Sequence, residues 1–240
     1  MDRFRVDLIA ATPNPQLCVY AAMHQDYSEG FVAADRENWP DEQRAGEICV
    51  KRLLAGERGH YGPMEHAQIV LNVGWFPHSV MQQARTHRVG VSFDVQSMRY
   101  TGERICRAAS GGLDLEEVFY LRPVGTYSDR QGKKYTYSES ERAKDLEHCR
   151  LAAARYDEML QAGFAEEHAR GILPFDYRQH FVVSFTLRAF LHFMDLRAKL
   201  DAQEEIRRMC DLMWPHMVSW APEIAAWYEK TRLHKARLAP

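Results

Sequence analysis

The sequence predicts an α+β fold, a mixed or antiparallel sheet packed with long helices, and three observations lead there. Short β-branched and aromatic runs, such as "AQIVLNV" at 67–73 and "QHFVVSFT" at 179–186, have the length and spacing of strands. Longer segments carry apolar residues at helical spacing behind capping signals. No internal repeat, low-complexity tract or clear linker interrupts the 240 residues, so one compact domain over 1–240 is expected. At 46% hydrophobic, the chain has enough apolar material for a core.

Taken in order, residues 3–10 read as a short strand. Helices are expected at 16–27 and 41–56, with Pro40 as the first helical residue of the second and Gly56 as its stop. In the strand at 67–73, Ile69, Leu71 and Val73 share one face. "PHSVMQQAR" (77–85) starts at a proline and continues as a helix, and "EEVFYLRP" (116–123) reads as a strand. The polar, glycine-containing stretch 125–138 is expected to be an exposed loop. Ser138 and Glu141 have capping-box spacing, opening a long helix to about Gly163. "EEHARGILP" is a short helix that stops before Pro174. Thr186 ends the last strand and is placed to cap a helix through Arg197, and Asp201 and Glu204 repeat the capping-box spacing ahead of a helix near 202–218.

The bulk chemistry narrows the function classes. A net charge of −2 is unlike a general nucleic-acid binder. The five cysteines contain no C-x-x-C pair, which speaks for reduced thiols rather than a disulfide framework or structural zinc. Pro13 and Pro15 cut the N-terminal apolar run short, and no other stretch reaches membrane length, so a cytoplasmic, membrane-independent protein is expected.

Against that neutral background, "RTHRVGVSFDVQSMRY" (85–100) gathers Arg85, Arg88 and Arg99 with His87, Ser92 and Ser97. Arginine forks match phosphate geometry, and serine hydroxyls with backbone N–H groups complete such cradles. A solvated, salt-bridged surface is the plainer reading of any single arginine. Val89, Val91, Phe93 and Val95 alternate through the stretch, implying a partly buried segment in which charges need partners. Arg170, Arg188 and Arg197 form a second group, the last two flanking an apolar helix that also carries His192. In "RGHYGPMEH", His60 and His66 stand six apart across Gly62 and Pro63, which does not fit a zincin helix, so no metal is assigned. A buried His66–Glu65 pair orienting the turn and a direct binding role both remain open.

Three blocks, "RGHYGPMEHAQIVLNV", "RTHRVGVSFDVQSMRY" and "ARGILP…FTLRAFLHFMDLRAKLDAQEEI", together resemble the flavin-dependent thymidylate synthases over roughly 58–207. That family's signature is Arg-His-Arg, a spacer, then Ser with Arg-Tyr following. Here Thr86 separates Arg85 from His87, residues 89–96 separate Arg88 from Ser97, and "DVQ" stands at 94–96 where the family often has Asn-Glu.

The resemblance implies methylation of deoxyuridine monophosphate (dUMP) to thymidine monophosphate (dTMP). Methylenetetrahydrofolate would be the carbon donor, and flavin adenine dinucleotide (FAD), re-reduced by NADPH, the hydride source. It implies flavin contacts from Gly62, Arg85, His87, Arg88, Val89, Arg188 and His192. Substrate contacts would come from Gln82 or Gln83, with Arg85, Gln96, Ser97, Met98, Arg99, Arg170 and Arg197. Arg197 is the expected catalytic group, stabilising negative charge on the pyrimidine. Ser97 is expected to be a substrate ligand and not a nucleophile, because no His–Asp partner is evident to activate it. The family also implies a homotetramer with active sites at subunit interfaces, Arg170 coming from a neighbour. Two other readings compete: an RNA-binding module using the arginine stretch with Phe93 and Tyr100, and an inactive relative kept for assembly.

Overall fold

The computed structural model describes residues 3–56, 59–129 and 131–235. Arg58, which opens the first resemblance block, and Arg130, inside the expected loop, lie outside them. Strand β1 (Arg5–Ala11) leads into α1 (Pro15–Gln25), where a proline at the first helical position gives up an N–H that has no intrahelical partner. Helix α2 (Glu42–Cys49) is capped by the Asp41 carboxylate, which accepts from the Arg44 N–H at 2.7 Å. Pro40 therefore stands outside the helix it was expected to begin; an acidic N-cap satisfies the first-turn donors and a proline has no side chain to do so.

After a 3₁₀ turn, Gly62–Glu65, come β2 (Gln68–Pro77), α3 (His78–Ala84), β3 (Val91–Val95), α4 (Met98–Thr101) and α5 (Glu103–Ala109). Then follow β4 (Gly125–Ser128), β5 (Lys134–Tyr137), α6 (Glu139–Gln161) and α7 (Glu166–Ala169). The chain continues through β6 (Arg178–Thr186), α8 (Leu187–Arg197), α9 (Glu204–Trp220) and α10 (Pro222–Thr231). One sheet has the strand order β1-β2-β6-β3, and β4 pairs with β5 in a second. The class is α+β, as expected. The five cysteines form no disulfide, and among the described residues no helix is long and apolar enough to cross a membrane.

The contacts group the chain into two units. The larger takes the described residues of 4–73, 84–94 and from 182 onward. Its core includes Ile69, Leu71 and Val73 of β2, all fully buried as their alternation predicts, with Phe185, Phe190 and Phe193. Buried Gln16 knits α1 to α2 and α10: its amide oxygen accepts from the N–H groups of Glu223 and Ile224 at 3.1 and 3.2 Å, and its nitrogen donates to the Glu42 carbonyl at 3.3 Å. Every polar atom of that buried amide that faces a partner thus has one, which is the condition for burying it without loss. Helix α9 lies against β1, where His216 Nε2 sits 3.1 Å from the Val6 carbonyl.

The smaller unit takes Arg3, 74–83 and 95–181. Ile105, Val118, Phe119, Cys149, Ala153 and Tyr156 form its core around α5 and α6. The capping box of α6 forms as expected, Ser138 accepting from the Glu141 N–H at 3.3 Å.

Three expectations change. The stretch 116–123 is a 3₁₀ turn, Leu115–Glu117, and a single antiparallel bridge, Phe119 to Tyr177, in place of a strand. Val118 and Phe119 are both buried, so strand alternation fails. Buried Arg178 also captures the Glu116 carbonyl through Nε at 2.7 Å, removing an acceptor from any ladder. The expected loop at 125–138 is instead the β4–β5 hairpin, antiparallel with Gly125 opposite Tyr137. Its threonines and tyrosines are strand formers, and the Tyr127 and Tyr135 rings meet at 6.0 Å. Lastly, α9 starts at Glu204 behind Gln203, which makes no capping bond, and Asp201 caps nothing; Ala202 N–H turns back to the Lys199 carbonyl at 3.1 Å, leaving Asp201 exposed in the turn.

Candidate functional site

In the larger unit the site grows from the start and end of α8. Thr186 accepts from the Ala189 N–H at 3.2 Å, as an N-cap should, and its hydroxyl donates to Glu65 Oε2 at 2.8 Å. The other Glu65 oxygen takes Arg188 Nη1 at 3.2 Å. Glu65 thus spends its charge on Arg188, while His66 is exposed: the open pairing of His66 with Glu65 is not what orients the turn. Gly90 sits against this corner with φ 66°, and a Cβ there would meet Thr186 Oγ1 at 2.5 Å and Glu65 Oε2 at 3.1 Å. Only glycine fits both the backbone and the space. Its carbonyl accepts from the Thr186 N–H at 2.8 Å.

At the other end of α8, Arg197 is half-buried. Its Nε donates to His87 Nε2 at 3.0 Å and its Nη2 to Thr86 Oγ1 at 2.8 Å. His87 is buried and packs on Phe193 and His192, with ring centroids at 4.8 and 5.4 Å. Burial, then the Arg197 charge, then His192 push its pKa down to about 4. At neutral pH the ring is therefore uncharged and its Nε2 is a lone-pair acceptor for arginine. Burial also draws the Arg197 pKa down from its ordinary value, but a guanidinium remains charged at neutral pH. Two neutral acceptors, the His87 ring and the Thr86 hydroxyl, thus take part in holding and directing this cation.

Thr86, His87, Arg88, Val89, His192, Leu196 and Arg197 line a cavity of about 310 Å³. A neighbouring one of about 220 Å³ is lined by Glu65, Val89, Arg188, Ala189 and His192. The two share Val89 and His192. Val89 is 81% exposed, so the alternation read through 89–95 begins only at β3, where Val91, Phe93 and Val95 are half-buried. Arg85 and Arg88 are exposed, with no acidic partner among the described residues. A dinucleotide brings two phosphates and a broad ring; exposed guanidiniums, an exposed apolar side chain and adjoining cavities fit such a group. Gly62 is exposed, and a Cβ there would meet nothing within 4 Å.

In the smaller unit Ser97 opens α4, yet its hydroxyl makes no capping bond. The carbonyl of Ser97 accepts from Tyr100 N–H at 3.0 Å, which shapes the turn and leaves the side chain available. Gln96 N–H donates to the His180 carbonyl at 2.9 Å, while its side-chain oxygen is buried with no partner. A buried acceptor without a donor is costly unless a ligand supplies one. Met98 is buried in the core of this unit. Arg99 pairs with Glu167 at 3.2 Å and lies over Tyr100, so for this arginine the surface salt bridge is real. Arg170 is exposed and contributes to the field around Tyr156 and Tyr177.

Of the two glutamines left open, Gln82 is exposed with its Nε2 2.6 Å from His78 Nε2, and Gln83 is half-buried. His78 and Gln179 were missed in the sequence; the His78–Gln82 spacing of one helical turn was the available signal. Thr86, Glu65 and Gly90 were visible in the motifs, but their roles depend on partners far away in sequence. Among the described residues no three His, Cys, Asp or Glu side chains converge to hold a metal.

A family model described as thymidylate synthase complementing protein matches residues 7–223. The flavin-dependent thymidylate synthase of Haloarcula marismortui is 34% identical, over 98% of this chain and 99% of its own. That of Halobacterium salinarum is 29% identical over 98% of this chain and 100% of its own. A UMP/dUMP methylase from Streptomyces cacaoi, solved with 5-Br dUMP, shares the fold at a TM-score of 0.74 and 19% identity, covering 100% of this chain and 99% of that one. With a family model spanning most of the sequence and full-length relatives at this identity, the chain belongs to the family of the flavin-dependent thymidylate synthases.

Proposed function

We propose that this chain converts dUMP to dTMP, and that the whole of 1–240 serves as one synthase domain. Methylenetetrahydrofolate is the carbon donor in this reading. Bound FAD, re-reduced by NADPH, supplies the hydride that completes the methyl group. Arg85, Arg88 and Arg188 hold the phosphates of FAD, while Val89, His87 and His192 line its planar part. Gln82, Gln96, Ser97 and Arg99 hold the nucleotide, joined by Arg170 from a neighbouring copy in a homotetramer.

The observation that carries the reading is the Arg197 guanidinium, held by neutral His87 and Thr86 on the wall of a cavity. A cation oriented in this way and sheltered from water stabilises negative charge on a pyrimidine as its ring N–H is lost. Carbon 5 becomes electron-rich at that moment, and the one-carbon unit attaches there. Arg197 lowers the barrier by electrostatics, and the remaining groups act by positioning.

The test is a visible spectrum of the purified protein before and after anaerobic NADPH, followed by assay with dUMP and methylenetetrahydrofolate. A yellow protein that bleaches and forms dTMP supports the reading. A protein that neither carries nor takes up flavin overturns it. Salt-sensitive RNA binding by a colourless protein would favour the RNA-binding alternative, and a flavoprotein without dTMP formation the inactive relative. Light scattering across a dilution series tests the tetramer: activity lost together with mass supports subunit-interface sites, and an active monomer excludes them.

A further inference from the structure

Gln82 does not choose its orientation freely. It lies one turn beyond His78 on α3, and the two Nε2 atoms are 2.6 Å apart. On the far side of the imidazole, Nδ1 lies 2.6 Å from Gln179 Oε1. Gln179 Nε2 in turn donates to the Gln96 backbone carbonyl at 3.3 Å.

The polarity of this chain follows from its last member. A backbone carbonyl only accepts, so the Gln179 atom facing Gln96 is the NH₂ group. Gln179 Oε1 then faces His78, and His78 Nδ1 must carry the proton. The Gln82 atom that faces His78 Nε2 is its NH₂ nitrogen, so that ring nitrogen is the acceptor. The Gln82 carbonyl oxygen is thereby directed away from the ring. Packing holds the imidazole in place: Tyr177 stacks on it at 4.8 Å and Phe175 meets it edge-on at 5.2 Å. Gln179 is 3% exposed, so its amide has little opportunity to flip. Gln82, at the end of the chain, is exposed.

We infer that His78 and Gln179 are positioning residues that lock the Gln82 amide as a hydrogen-bond acceptor for the nucleotide. This rests on the reading of Gln82 as a dUMP ligand. The nucleotide donors that match a fixed carbonyl oxygen are the pyrimidine ring N–H and the sugar hydroxyl. An unlocked amide would spend part of its time presenting NH₂ to them and would repel.

The experiment measures dUMP binding to the flavin-loaded protein by calorimetry, alongside KM and kcat, for three variants. Gln82→Ala tests the ligand reading. His78→Asn keeps a donor near the position of Nδ1 but cannot reach Gln82. His78→Gln places an oxygen near the position of Nε2 and can accept from Gln82. We expect Gln82→Ala and His78→Asn each to weaken dUMP binding about tenfold. In His78→Asn, KM should rise far more than kcat falls, and His78→Gln should recover most of the loss.

Normal dUMP binding by Gln82→Ala would overturn the ligand reading and, with it, the inference. Weak binding by Gln82→Ala with wild-type binding by His78→Asn would leave the reading standing and sink the lock. Equal losses in both His78 variants would also sink it, since they would mark a structural histidine. Should His78→Asn fail to fold, Gln179→Met takes its place: weakened dUMP binding with flavin retained supports the lock, and unchanged binding excludes it.

Discussion

Two histidines, one in each unit, show how surroundings assign a role to the same side chain. His87 is buried against Phe193 and His192, and its Nε2 accepts from Arg197. His78 lies between aromatic rings, with an amide at each nitrogen. The first backs a cation, and as a neutral acceptor it adds no charge of its own beside Arg197. The second orders amides, where the direction of the hydrogen bonds is what matters. The larger unit therefore offers the guanidiniums around α8, whereas the smaller adds dipoles from Gln82, Gln96 and Ser97 to the charges of Arg99 and Arg170.

Breaking the charged side should have the largest effect. Arg197→Ala should lower turnover by about 10²–10³-fold while the flavin spectrum persists; stopped-flow assays with near-normal rates would remove Arg197 from its catalytic role. The neutrality of His87 gives a pH dependence with a definite sign. Its pKa falls from 6.5 to about 4 on folding, so the unfolded chain binds the extra proton between those values. Its contribution to stability is complete above pH 6.5 and shrinks as the pH drops toward 4. Thermal melts should show that decline, and His87→Gln, which keeps an acceptor and cannot titrate, should flatten it.

Gly90→Ala tests the corner beneath the same cluster. Its positive φ and the 2.5 Å approach to Thr186 Oγ1 should destabilise the protein by roughly 2 kcal/mol. Flavin should be lost before nucleotide binding changes, and a melting temperature equal to wild type would show that the corner yields. On the dipolar side, Ser97→Ala should weaken dUMP binding roughly tenfold and leave flavin in place. If calorimetry instead gives intact binding with turnover abolished, Ser97 takes part in chemistry and the contrast between the units needs redrawing.

The arginine stretch was legible because several arginines within a few residues stand out in a chain of net charge −2. Thr186 as a cap and the helix ending at Arg197 were legible from local spacing, and both formed as read. The hairpin was not, because its polar threonines, lysines and glycines give the composition of a loop, while strand propensity there is realised through cross-strand pairs. The partnership of Arg99 with Glu167 was equally hidden: two surface charges far apart in sequence carry no local mark of each other.

The sequence by itself determined the α+β class, the caps of α6 and α8, the alternating core face of β2 and the set of side chains able to meet phosphates. Each depends on neighbours within a helical turn or on the two-residue period of a strand. Only the tertiary structure decided that His87 is neutral and serves Arg197, that Glu65 is committed to Arg188 and Thr186, and that Gln82 meets a His78 held on its other side by Gln179. Protonation, ion pairing and amide orientation depend on burial and on partners brought from distant positions, and no local pattern in the chain encodes them.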